Sequence, residues 1–148
     1  MADVVDVATR SRMMSGIRSR NTRPELIIRQ GLHRRGLRYR LHVKKLPGCP
    51  DIVFGHRRAV VFVHGCFWHG HDCPLFKWPR SREEFWLAKI EGNKDRDTRA
   101  IEALITEGWR VAVVWECAIK GRGSNVDDVL DRLVAWLNTE KPRIEVRG

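Results

Sequence analysis

Metal-binding side chains are concentrated in one short segment of the chain. Cys66, His71 and Cys73 lie within eight residues, and Cys117 follows a later apolar run. Three thiolates and one imidazole suit a tetrahedral structural zinc ion, although the spacing is not that of a common zinc finger. Such a loop needs an ordering force, which a bound metal supplies. We therefore predict a structural zinc site on these four residues, with nearby competing donors at Cys49, His64 and His69.

A second group of residues suggests phosphate chemistry. Asp51 follows Pro50 at the start of a predicted strand, and the hairpin partner of that strand ends at Val63 and His64. Many magnesium nucleases have such a Pro-Asp pair, followed by Asp/Glu-x-Lys, whose acids hold the metal beside a phosphate. Here Val63-His64-Gly65 lacks that acid and that lysine. Because histidine can act as a general base on an attacking water, His64 and His69 are candidates for that role.

One face of a predicted long helix combines polar and aromatic side chains. Spacings of three, four and four residues, at about 100° per residue, keep this set within an arc of roughly 80°: Trp86, Lys89, Asn93 and Asp97. The face continues into an apolar stripe predicted to enter the core, formed by Ile101, Leu104 and Ile105. This change favours a core face that emerges into a ligand-binding cleft. A partly solvated helix with a snorkelling lysine is the alternative.

Aromatic residues beside basic ones are candidates for contact with bases. Phe67 and Trp68 lie in the cysteine- and histidine-rich loop, and Trp86 begins the polar helix face. Aromatic side chains presented in this way can wedge between stacked bases. Taken singly, they would more often belong to a core, but the loop setting favours at least one surface wedge.

These residues require a scaffold of alternating helices and strands. Thr22-x-x-Glu25 is a capping box with Pro24 in the first turn, which predicts a helix to about Arg35 that stops at Gly36. Glu25 is therefore a helix cap and also a candidate catalytic carboxylate. Ser81-x-x-Glu84 is a second capping box and predicts the start of a long helix that ends at Gly108.

The remaining segments predict strands and two further helices. β-Branched and apolar runs indicate strands at Arg38 to Val43, Asp51 to Phe54, Ala59 to His64 and Trp109 to Trp115, with a hairpin turn over Gly55 to Arg58. Helices are predicted at Val7 to Arg20 and Asn125 to Leu137. The order α, β-hairpin, α, β, α predicts an α/β fold, in which helices flank a mixed sheet.

Composition limits the class of protein. A chain of 148 residues is the size of one domain, and it has no run of roughly 18 apolar residues that could span a membrane. The sequence begins without the apolar stretch of a signal peptide, so a cytoplasmic protein is expected. We also expect a monomer. The net charge of +10 suits a polyanionic partner such as DNA. Six arginines among the first thirty residues suggest a basic DNA-contacting arm at 1–20, followed by the main domain at 21–148.

Taken together, the motifs resemble the very-short-patch-repair (Vsr) endonucleases, which nick DNA at T:G mismatches left by deamination of 5-methylcytosine. The resemblance covers nearly the whole chain. It rests on Ala-Thr-Arg-Ser from Ala8, Leu-Pro-Gly-x-Pro-Asp ending at Asp51, His-Gly-Cys-Phe-Trp-His from His64, Glu-Phe-Trp-Leu-x-Lys-Ile from Glu84, and Gly-Trp-Arg-Val-x-x-Val-Trp-Glu-Cys-Ala from Gly108.

The resemblance implies a restriction-endonuclease-like fold and a role for each motif. Asp51 would bind Mg²⁺ together with the backbone carbonyl of Val63, His69 would be the general base, and His64 with Asp97 would assist near the cleaved phosphate. Zinc would bind Cys66, His71, Cys73 and Cys117. Three aromatic residues would intercalate into the DNA, namely Phe67, Trp68 and Trp86, and Met14 would reach it from the minor-groove side. Lys89 and Asn93 would read the mispaired bases.

Two positions depart from the family pattern. Val63 stands where threonine is usual, a change that a backbone-carbonyl contact tolerates, and Cys49 stands where arginine is usual, which removes a potential phosphate contact. Two rival functions are a restriction-type nuclease that cuts unmodified duplex and a zinc-stabilised DNA-binding module without catalysis.

Overall fold

The computed structural model describes residues 21–120 and 123–148. The predicted arm at 1–20, with its helix from Val7 to Arg20 and with Met14, lies outside these residues. The described chain contains helices α1 (Arg23–Arg34), α2 (Glu83–Thr106), α3 (Glu116–Lys120) and α4 (Val126–Leu137), and strands β1 (Arg40–Leu41), β2 (Ile52–Phe54), β3 (Ala59–His64), β4 (Arg110–Trp115) and β5 (Arg143–Val146). Among these residues, no helix is long and apolar enough to cross a membrane.

The five strands form one sheet in the order β1-β2-β3-β4-β5. The first three are antiparallel, whereas β3, β4 and β5 are parallel. The central strands β3 and β4 are buried along nearly their whole length, as expected for β-branched runs covered on both faces. The prediction of a mixed sheet with flanking helices in a single domain is confirmed.

Alternation along β3 separates two cores, because successive side chains of a strand point to opposite faces. Val61 belongs to the core that includes Leu32 of α1 and Leu133 of α4. Phe62 belongs to the opposite core, which α2 closes with Ile101 and Leu104. The apolar end of the α2 face is therefore confirmed for these two residues. The third predicted member, Ile105, differs, because it lies in the last turn of α2 and is 37% exposed.

The first helix starts as its sequence predicts. The Thr22 hydroxyl accepts a hydrogen bond from the backbone N–H of Glu25 at 3.4 Å, which satisfies one of the donors left open at a helix start. The Glu25 carboxylate completes the cap one residue earlier than the standard box, because it accepts from the N–H of Asn21 at 3.0 Å. The helix ends before Gly36, which has a φ of +87°.

Three local predictions differ from the structure. The predicted capping box at Ser81 is wrong, since Arg82 precedes α2 in a left-handed conformation without any side-chain cap. The strand predicted over 38–43 is reduced to β1, because His42 has a φ of 47° and ends the ladder. The sequence interpretation also missed α3 and β5, which are five and four residues long and too short to show a period.

The turn before Asp51 packs closely against the sheet and α2 at Gly48. Its φ is +75°, and a Cβ atom there would lie 2.7 Å from the Cβ of Ala100 and 3.2 Å from the Phe62 ring. We expect Gly48→Ala to lower the free energy of unfolding by about 2–3 kcal/mol, since strain and overpacking add. Gly55→Ala is the control, because it meets open space. Urea denaturation would measure both, and equal stabilities would contradict this packing.

Candidate active site and metal centre

A cleft of about 470 Å³ opens between the β2–β3 hairpin and α2. The hairpin supplies Asp51, which directly precedes β2, and His64, which ends β3. The antiparallel pairing brings these ends together, because Val63 N–H donates to the Asp51 carboxylate at 2.7 Å. The polar part of the α2 face forms the opposite wall with Asn93 and Asp97. The sheet and the helix thus bring the separate sequence motifs to one cavity.

Two carboxylates come together where Asp51 lines this cleft. Glu25 of α1 and Asp51 form a group with His42, in which the donor atoms lie within 4.8 Å of one another. Glu25 is 1% exposed, and its Oε2 accepts from Arg29 at 2.9 Å and contacts His42 Nε2 at 2.8 Å. The helix cap predicted from the sequence therefore also lies in a largely buried group with Asp51 and His42, which line the cleft.

The environment of the Asp51 carboxyl favours its protonated form. Burial, opposed by the hydrogen bond from Val63 N–H and assisted by the nearby Glu25 carboxylate, raises the pKa of Asp51 to about 7. A bound cation would reverse this balance, because opposite charge favours the ionised form. Carboxylate oxygens such as those of Asp51 are ligands that hard divalent cations take.

A histidine pair lies beside the carboxylates. The His64 and His69 rings are stacked with centroids 3.8 Å apart. His69 Nδ1 forms a short hydrogen bond with Asp97, which leaves Nε2 as the proton-accepting nitrogen if Nδ1 carries the proton. Burial lowers the pKa of His64 well below its usual value, so its imidazole is neutral at pH 7. The nitrogen available as a proton acceptor at the cleft is therefore His69 Nε2.

The four cysteine and histidine residues predicted to bind zinc come together in the structure. The ligand atoms of Cys66, His71, Cys73 and Cys117 lie within 4.8 Å of one another. His71 Nδ1 is 3.5 Å from the Sγ atoms of both Cys66 and Cys117. Tetrahedral zinc with Zn–S and Zn–N bonds of usual length requires a separation of roughly 3.6 Å. The donor set and spacing fit one metal ion.

Neighbouring backbone groups and burial affect the ligand atoms of this cluster. Cys66 Sγ accepts from the N–H of Cys117 at 3.3 Å, and Cys117 Sγ accepts from the N–H of Gly148 at 3.3 Å. Burial lowers the pKa of His71, which favours the neutral, ligating imidazole. Burial raises the pKa of the Cys66 thiol, a cost that metal coordination would offset. Of the competing donors, His64 and His69 belong to the separate group with Asp97, and Cys49 lines the cleft.

The predicted wedge residues form one aromatic cluster. The Phe67 ring packs edge-on against Trp68 at 5.1 Å and Trp86 at 5.4 Å. Asn93 Nδ2 donates to the backbone carbonyl of Trp68 at 2.8 Å, so it fastens this loop to α2. The Asn93 carbonyl oxygen accepts from Arg96. In this structure the Asn93 amide is thus engaged on both sides.

Several cleft and cluster residues escaped the sequence interpretation. His42, Lys44 and Arg96 line the cleft, and Trp78, which is 50% exposed, extends the aromatic cluster through Phe76. The position of His42 opposite Asp51 follows from the β1–β2 pairing, so a register prediction for that hairpin would have been the signal. Arg96 carries no comparable signal, because charged residues are common on exposed helix faces.

Comparisons with known proteins find similar sequences. A family model described as DNA mismatch endonuclease Vsr matches residues 2–75. The chain is 49% identical to the DNA mismatch endonuclease Vsr of Escherichia coli (strain K12), over 100% of this chain and 97% of the relative. It is 53% identical to the type II nicking enzyme V.XorIIP of Xanthomonas oryzae pv. oryzae, over 84% of this chain and 91% of the relative. A third relative, V.NmeAIP of Neisseria meningitidis, is 43% identical over 82% of this chain.

Loss of one thiolate should release the metal from the cysteine and histidine cluster. We expect Cys117→Ser to lower zinc affinity by at least about 100-fold, since even residues around a metal site change affinity by 10–100-fold. Elemental analysis of purified protein would measure the zinc content. Cys49→Ser is the matched control, because Cys49 lies outside the four-residue cluster. Full zinc retention in Cys117→Ser would refute the assignment.

The Asp51 carboxylate should lower stability at high pH. The pKa of Asp51 in the folded protein, about 7, lies above its unfolded value of 3.8, so the group's favourable contribution is lost as pH rises through 7. In the absence of divalent cations we expect Asp51→Asn to raise Tm by several degrees at pH 8, and by progressively less as the pH falls towards 4.5.

Scanning calorimetry at several pH values would measure this effect. Asp95→Asn on α2 is the control, because Asp95 is exposed. A Tm gain that does not depend on pH would show that the stabilisation has another origin.

Proposed function

Because this chain belongs to the Vsr family of DNA mismatch endonucleases, we propose that it nicks duplex DNA 5′ of the mispaired T in a T:G mismatch, on the strand that carries the T. The observation that carries the proposal is one cleft bordered by the Asp51 carboxylate and by the His69–Asp97 pair. Metal-assisted hydrolysis of a phosphodiester uses an acid that binds the cation and a base for the attacking water.

We assign complementary roles to the two walls of the cleft. Asp51, with the backbone carbonyl of Val63, would hold Mg²⁺, which when bound neutralises charge on the phosphate. His69 Nε2 would accept the proton of the attacking water, while Asp97 holds Nδ1 and stabilises the charge that His69 gains. Neutral His64 stacks on His69 and limits its rotation, and Glu25 would contribute a second carboxylate beside Asp51.

The aromatic cluster supports selectivity for a mispair. A T:G pair stacks poorly, so the insertion of Phe67, Trp68 or Trp86 beside it costs less than insertion at a matched pair. We propose that Met14 approaches from the minor-groove side, and that Lys89 and Asn93 read the mispaired bases. For Asn93 this requires an exchange of its contact with Arg96 for one with a base.

The remaining assignments concern the scaffold. We propose that the cysteine and histidine cluster binds a structural Zn²⁺, that the mixed sheet is of the restriction-endonuclease type, and that residues 1–20 form a basic arm ahead of the endonuclease domain at 21–148. The net charge of +10 favours phosphate contacts. A monomer is sufficient, because all proposed site residues come from one chain.

A comparison of matched duplexes tests the substrate. With Mg²⁺ present, nicking of a T:G duplex should exceed that of the same duplex with C:G by at least about 100-fold, the order of two mispair contacts of 1–3 kcal/mol each. Gel analysis of each labelled strand would locate the nick. Equal rates on both duplexes would favour a restriction-type nuclease.

A catalytic variant tests the mechanism. Asp51→Ala should abolish nicking, whereas binding to the T:G duplex, measured by fluorescence anisotropy, should persist. Asp95→Ala is a control with an exposed acid on α2. If Asp51→Ala leaves nicking unchanged, the assignment of the catalytic cation is wrong. If the unaltered protein binds DNA but nicks no duplex, it is a DNA-binding module.

A further inference from the structure

His42 is held directly opposite Asp51 by the backbone. Its N–H donates to the Asp51 carbonyl at 3.2 Å, one residue beyond the last paired positions of β1 and β2. The φ of His42 is 47°, a left-handed value uncommon for a residue with a side chain. Such conformations persist where the surrounding structure imposes them, and they are frequent at ligand sites.

This conformation is accompanied by burial of the imidazole against the carboxylates. The His42 side chain is 9% exposed, and Nε2 lies 2.8 Å from Glu25 Oε2. One donor atom from each of His42, Glu25 and Asp51 lies within 4.8 Å of the other two. His42 and Asp51 also line the cleft, so an ion could reach them from solvent.

We propose that His42 is a nitrogen ligand of the catalytic cation site, together with Glu25 and Asp51, and that it shifts the selectivity of this site from Mg²⁺ towards first-row transition cations. The proposal rests on the assignment of a cation to Asp51 under the proposed function. Residues outside the four-residue cysteine and histidine cluster thereby form a second type of metal site, with mixed nitrogen and oxygen donors.

The geometry agrees with ligands on one ion. His42 Nε2 and Glu25 Oε2 are 2.8 Å apart, a hydrogen-bond distance. Neighbouring ligand atoms of an octahedral ion with bonds of about 2.1 Å are roughly 3.0 Å apart, so an ion that replaces the shared proton requires little movement of either atom. Arg29 and the N–H of Asn21 hold the Glu25 carboxylate in place. The Asp51 carboxylate is held by one backbone N–H, from Val63.

The identity of the donor determines the expected preference. Imidazole binds nickel, iron and zinc well, whereas Mg²⁺ prefers carboxylate, carbonyl and water oxygens. A site made of Glu25, Asp51 and a backbone carbonyl would favour Mg²⁺. The addition of His42 should therefore strengthen Ni²⁺ binding far more than Mg²⁺ binding.

Titration calorimetry of zinc-loaded protein with Ni²⁺ and with Mg²⁺, without DNA, tests the proposal. We expect His42→Gln to weaken Ni²⁺ binding by at least about tenfold and to change Mg²⁺ binding by less than about threefold, since an amide oxygen replaces the nitrogen. His56→Gln is the matched control, because His56 is exposed in the β2–β3 turn. It should leave both affinities unchanged.

Two outcomes would overturn the proposal. Unchanged Ni²⁺ affinity in His42→Gln would show that His42 only orients Glu25 through a hydrogen bond, and equal loss for both cations would show a general disturbance of the site. Asp51→Ala separates this inference from the proposed function. If Asp51→Ala still nicks DNA with Mg²⁺, the catalytic cation lies elsewhere. If it does not, while His42→Gln keeps its Ni²⁺ affinity, only the role of His42 is refuted.

Discussion

The spatial convergence of Cys66, His71, Cys73 and Cys117 is the constraint on which the rest of the site depends. Two of the ligands flank the segment that carries Phe67, Trp68 and His69, and Cys117 belongs to α3, directly after β4. The His71 ring also stacks on Trp115 at the end of β4, with centroids 4.0 Å apart. A loop without regular secondary structure thereby contacts the end of the central strand β4 and the start of α3. A bound metal ion at this point would make both the base and the wedge rigid.

The carboxylate side of the cleft contains acidic groups whose burial opposes their ionisation. Glu25, His42 and Asp51 are brought together by the α1 cap and by the β1–β2–β3 pairing. Glu25 is paired with Arg29 and His42, whereas burial of the Asp51 carboxylate raises its pKa. The raised pKa of Asp51 reflects a site that costs stability when it is ionised. Such a cost is typical of functional sites, because a cation or a phosphate with its metal supplies the missing interaction. The fold therefore tolerates an unfavourable Asp51 carboxylate, which a bound cation would stabilise.

Much of the fold could be predicted because the relevant signals are local. The Thr22 cap, the β-branched runs of β3 and β4, and the spacing of Trp86, Asn93 and Asp97 each describe an element without reference to its neighbours. What was missed depends on tertiary structure. Arg82, in a left-handed conformation, precedes α2 where a cap at Ser81 was expected. Strand β5 is too short to be recognised from its sequence, and it is defined by its pairing with β4. His42 was missed for the same reason, since its significance arises only from its position across the hairpin from Asp51.

The most direct test is amide hydrogen exchange of the loop at 65–73, measured with the metal bound and after its removal by a chelator. In this loop the N–H groups of His69, Gly70 and His71 donate to Gly65, Phe67 and Cys66. If the cluster holds the active site together, metal removal should accelerate exchange at these three amides and abolish nicking, while the amides of β3 and β4 remain protected. Unchanged loop exchange with full nicking activity after metal loss would contradict this dependence.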